Sequence, residues 1–144
     1  MTKNGSIELQ DGSSYVGELE NDMPQGRGVL KRPGVGVYEG EFVNGVFSGT
    51  GVLTLDDGLT YTGQFQDGHF QGLGILVQPD GGRYEGEFGN AQFNGQGKLT
   101  LADGSVWQGG FAEGKMKGKG MLIMPNGQQV KGIYAGDGKF TQIG

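Results

Sequence analysis

Apolar and polar residues alternate strictly through Tyr38-Glu39-Gly40-Glu41-Phe42. Period two predicts a strand with one apolar face and one polar face. Asn44-Gly45 follows and predicts a type I′ hairpin, because both central residues of that turn need positive φ. Gly49 to Leu55 reads as a second strand, and Asp57-Gly58 turns the chain again into Tyr61. Asp80-Gly81, Asp103-Gly104 and Asn126-Gly127 repeat this second turn. No window carries a 3.6-residue apolar period, so no helix is predicted.

The whole pattern returns every 23 residues, without insertion or deletion. Tyr15, Tyr38, Tyr61, Tyr84, Trp107 and Val130 form one column. Gly17, Gly40, Gly63, Gly86, Gly109 and Gly132 follow two residues on, and Leu19, Phe42, Phe65, Phe88, Phe111 and Tyr134 two further. A GxG pair recurs from Gly26/Gly28 to Gly118/Gly120, each followed by a leucine, Leu30 to Leu122. The repeats define a leading half unit, 5–14, five full units, 15–37, 38–60, 61–83, 84–106 and 107–129, and a degraded unit, 130–144. Together they read as one repeat domain, since repeats at a fixed short period stack on their neighbours.

Each unit thus holds two short strands and two reversals of direction. A parallel β-helix has coils of similar length, but tight Asn-Gly and Asp-Gly turns favour an antiparallel arrangement. The expected fold is all-β: an elongated, single-layer, twisted antiparallel meander of 23-residue hairpin repeats. About twelve strands at about 4.8 Å spacing would extend on the order of 55 Å. A glycine beside each aromatic lets a neighbouring ring lie over bare backbone, so paired aromatic and glycine columns replace a second packing layer. A single layer is expected to leave some of these rings partly exposed.

Tyr38-Glu39-Gly40-Glu41-Phe42, Asn44-Gly45, Gly49, Gly51, Leu53 and Asp57-Gly58 spell Y-x-G-x-F-x-N-G-x-x-x-G-x-G-x-L-x-x-x-D-G. This resembles the MORN repeat (membrane occupation and recognition nexus), over nearly the whole chain. Asp22 and Ala91 interrupt the Asn-Gly turn, and Gln25, Ser48, Gln71 and Asn94 precede the first glycine of GxG where the family often has charge. The sixth unit has Val130 for tyrosine and loses the GxG. The resemblance implies a sheet with a concave groove and a non-catalytic scaffold or targeting role, with protein binding and membrane binding both represented.

Composition narrows the chemistry. Glycine supplies 33 of 144 residues and apolar residues only 34%, too few for a thick core. With no cysteine, disulfides, thiol catalysis and cysteine-held metals are excluded. The N-terminus has no apolar stretch of a secretory leader, and no run approaches a membrane span, so a cytoplasmic protein is expected, with membrane association as the alternative. Residues 1–97 carry a net charge of −8 and residues 98–144 a net of +3. The acidic body argues against nucleic-acid binding.

No catalytic constellation emerges, and no cofactor or metal site is expected. His69, the single histidine, falls in a predicted turn. Glu18, Glu41 and Glu87 share one column interrupted by Gln64, and read as a solvated face rather than an acid/base pair. GxG lacks the lysine and following helix of a phosphate loop, and the Asp-Gly turns lack calcium-ligand spacing. The aromatic columns are the better candidates, because exposed apolar stripes mark interaction sites. Tyr38, Phe47, Tyr61, Phe70, Tyr84, Phe93, Trp107 and Met116 are the candidate contacts for a protein or peptide partner. Lys115, Lys117 and Lys119 are candidates for anionic lipid or an acidic partner. Self-assembly through sheet ends or edge strands is the third option, favoured by the acidic body and basic end.

Overall fold

The structure, a computed structural model, describes residues 3–143. The chain forms two compact units that divide between His69 and Phe70. The first holds β1 (Lys3–Glu8), β2 (Ser14–Glu20), β3 (Met23–Arg32), β4 (Gly36–Val43), β5 (Val46–Leu55) and β6 (Thr60–Gln66). The second holds β7 (His69–Val77) from its second residue on, β8 (Arg83–Gly89), β9 (Gln92–Thr100), β10 (Val106–Ala112), β11 (Lys115–Ile123), β12 (Gln129–Tyr134) and β13 (Phe140–Gln142). Within each unit every strand pairs antiparallel with the next in sequence. The described residues contain no helix. Among the described residues thirteen strands stand where about twelve were expected; the extra one is the short β13.

The two turns of each repeat differ in kind. Asn44-Gly45 has φ of 51° and 82°, the doubly positive geometry of type I′. Asp22 and Ala91 do not break this turn: Asn21-Asp22 and Asn90-Ala91 keep it, with φ of 62° at Asp22 and 66° at Ala91. Ladder pairing on both sides holds alanine in a region it disfavours. Ala91→Gly is therefore expected to raise unfolding stability by about 1 kcal/mol. Denaturant melts would check this, and an unchanged or lower midpoint would contradict it. In the second turn only the glycine is left-handed, and the Asp or Asn before it caps the loop. Asp57 Oδ1 accepts the Leu59 N–H at 3.0 Å and Asp103 Oδ1 the Ser105 N–H at 2.8 Å. The same bond to Ser105 lowers the Asp103 pKa.

A bulge sits in the first hairpin of the repeats. Gly40 pairs with Gly51 and Phe42 with Phe47, so Glu41 alone opposes Ser48, Gly49 and Thr50. Gly17 to Leu19, Gly86 to Phe88 and Gly109 to Phe111 repeat the shift. Within each compact unit the bulge fixes strand parity and gathers that unit's aromatic residues on one face.

That face is the core. Tyr15, Tyr38, Tyr61, Tyr84 and Trp107 are at most 1% exposed. A single layer buries them because each ring lies on paired glycines. A Cβ on Gly51 would sit 2.4 Å from the Tyr38 hydroxyl oxygen, and one on Gly40 would sit 2.5 Å from the Gly51 Cα. The columns of Phe42 and Phe65 stand edge-on to the tyrosines, with Phe42 5.1 Å from both Tyr15 and Tyr38. The degraded unit solves the same problem differently. Val130 cannot cover Gly132, and Phe140 on β13 folds back over it, 2.2 Å from where a Cβ would be.

Candidate functional site

Tyr38, Tyr61, Tyr84 and Trp107, expected to meet a partner, are at most 1% exposed, and Tyr38 shows only in the lining of the cavity beside Phe47. Their polar atoms are also engaged. Each tyrosine hydroxyl donates to the carbonyl three residues on: Tyr38 to Glu41 at 2.8 Å, Tyr61 to Gln64 at 2.8 Å, Tyr84 to Glu87 at 2.6 Å. Trp107 Nε1 donates to the Gly110 carbonyl at 3.1 Å. The Glu41, Glu87 and Gly110 carbonyls lie in the bulges, so there ring and bulge position each other. Burial pushes the Tyr38, Tyr61 and Tyr84 pKa values up to about 12.

The second tier is more open. Phe47 lies flat on Tyr38, centroids 3.8 Å apart and planes within 9°, and Phe93 lies on Tyr84 at 3.9 Å and 9°. Phe70 meets Phe88 edge-on at 5.7 Å. Phe47, Phe70, Phe93 and Met116 are all half-buried. Beside Phe47, a cavity of about 180 Å³ opens between Leu30, Arg32, Val35, Leu53 and Leu55. Beside Met116, one of about 370 Å³ is lined by Leu99, Phe111, Lys115, Asp137 and loop glycines. Each cavity belongs to one compact unit. The flanking leucines were legible as a column, but their closeness to Phe47 depends on the bulge.

Lys115, Lys117 and Lys119 are exposed, and among the described residues none forms an ion pair. Lys115 lines the cavity beside Met116. His69 is exposed at the start of β7. The glutamate column stays at the surface, as expected, and also bonds to backbone. Glu18 accepts a hydrogen bond from the Arg27 N–H, Glu41 from Thr50 at 2.5 Å and Glu87 from Gln96 at 2.8 Å. Between repeats, Gln25 and Gln71 side chains accept from Asn44 and Asn90, which gives the residues before GxG a structural use. Among the described residues no group of three or more histidine, aspartate or glutamate side chains is placed to hold a metal ion.

A family model described as MORN repeat matches residues 15–34, 38–60, 61–83, 84–106 and 107–129. No individual curated protein matches the chain.

Proposed function

The chain belongs to the MORN repeat family, and we propose that it is a binding module, a scaffold or adaptor that docks a protein or peptide partner on its aromatic face. MORN repeats occur in binding and membrane-associated proteins, and the family is generally non-catalytic. The observation that carries the reading is the second tier. Phe47 and Phe93 rest on buried tyrosines and keep part of their surface, so they present rigid aromatic area at little entropic cost. The cavities beside Phe47 and Met116 give apolar side chains of the partner somewhere to insert. Phe70 and Met116 complete the contact set.

The test compares capture from source lysate by tagged wild type and by Phe47→Ser/Phe70→Ser/Phe93→Ser, after circular dichroism shows native β-sheet in both. The expected result is a partner held by wild type and lost by the variant. Equal capture by the two would remove this column from the site.

A further inference from the structure

Three of the five full units lay a carboxylate of their own over the bulge. A Cβ added to Gly26, Gly49 or Gly95 would fall 2.1, 1.9 and 1.7 Å from a carboxylate oxygen of Glu18, Glu41 and Glu87 respectively. Each of these oxygens accepts the N–H of the residue after that glycine: Arg27, Thr50 or Gln96. The bulge is therefore an anion-accepting backbone conformation, and the protein shows which anion it accepts. It is a carboxylate on a backbone N–H beside a left-handed glycine.

The fifth unit keeps the bulge without the carboxylate. Gly110 stands where the glutamates stand, alone opposite Lys117, Gly118 and Lys119. Gly118 has φ of 92°, close to the 89° of Gly26 and the 93° of Gly95. Lys119 pairs with Ile133 as Arg27 pairs with Glu41 and Thr50 with Gln64, so its N–H has the same phase in the ladder. The space over Gly118 is open: nothing lies within 4 Å of a Cβ built there. Around it the sequence changes sign, with exposed Lys115, Lys117 and Lys119. One repeat thus replaces its internal anion with cations around a bulge of the same register, drawn in too close at Gly110 to admit a side chain.

We propose that the Gly118–Lys119 bulge, flanked by Lys115 and Lys117, is a docking site for a carboxylate side chain from an acidic segment of a partner protein. The N–H orients the carboxylate as it does in the other units, and the lysines supply the attraction that a tethered glutamate does not need. A peptide fits this seat better than a lipid surface does. The built examples are carboxylates, and three lysines fall short of the four to eight clustered cations that anionic membranes usually require. The site uses none of the aromatic residues assigned above and shares only Lys115 with the cavity beside Met116, so the Gly118 and Lys119 amides report on it separately.

Restoring the glutamate is a poor probe, since a Cβ at Gly110 would meet the Lys117 carbonyl at 2.2 Å. Amide NMR of the full chain reads the seat directly. A capped hexaglutamate peptide is expected to move the Gly118 and Lys119 resonances more than those of Arg27, Thr50 and Gln96, while hexaglutamine leaves all of them in place. Lys117→Gln/Lys119→Gln, folded by circular dichroism, is expected to bind hexaglutamate about fivefold or more weakly. The proposal is overturned if hexaglutamate moves only lysine side-chain resonances, if both peptides act alike, or if neither acts. It is overturned equally if inorganic phosphate or phosphatidylserine-containing vesicles move the two amides and hexaglutamate does not.

Discussion

Gly51→Ala is expected to lower unfolding stability by about 3 kcal/mol, more than an alanine in a strand would normally change it. Alanine is otherwise a mild replacement for glycine in a strand, where glycine itself is unfavourable. The cost arises from the ring above. The added Cβ would sit 2.4 Å from the Tyr38 hydroxyl oxygen and 2.6 Å from two of its ring carbons. Tyr38 must lift, and in lifting it loses both its bond to the Glu41 carbonyl and its flat contact with Phe47. Guanidinium melts followed by circular dichroism would measure the loss. A change under 1 kcal/mol would show that the ring has room to move.

Alkaline pH is expected to unfold the protein as its core tyrosines ionise. Tyr38, Tyr61 and Tyr84 have folded pKa values of about 12, raised by burial from 10.0. A raised pKa means that the neutral phenol is favoured in the folded state. The stabilisation is therefore complete below pH 10 and lost as pH climbs through 12. Each tyrosine contributes about 1–2 kcal/mol after allowance for solvent screening at the bulge, and the three together rival the stability of a small domain. Absorbance at the phenolate band and circular dichroism should change together between pH 10 and 12. Ionisation of all tyrosines near pH 10 with the sheet intact would contradict the burial described for them.

Much of this architecture is legible in the residues. The 23-residue step, the alternation through Tyr38–Phe42 and the Asn44-Gly45 turn fix hairpins that the structure reproduces. Glycine beside aromatic predicts rings on bare backbone, and Gly51 beneath Tyr38 is such a case. The candidate site is less legible. Alternation places Tyr38 and Phe47 on apolar faces but does not say which ring lies beneath the other, because that depends on the bulge between Gly40 and Phe42. The same bulge brings Glu41 to the Thr50 amide, nine residues away, where period-two reasoning sees only a solvated side chain. Ala91 shows the limit of residue preference, since the turn is held from both sides and keeps its shape without glycine. Phe140 lies off the tyrosine column and reaches Gly132 only because β13 folds back.

The central claim is that a tyrosine ring on paired glycines does the work of a second packing layer. A double-mutant cycle between Gly51→Ala and Tyr38→Leu tests it most directly, because leucine is too short to reach the Cβ that alanine adds. Gly51→Ala is predicted to cost about 3 kcal/mol in wild type and under about 1 kcal/mol in the Tyr38→Leu background, a coupling of about 2 kcal/mol. Equal costs in the two backgrounds would mean that the ring does not rest on the glycines, and the account of the core would be wrong.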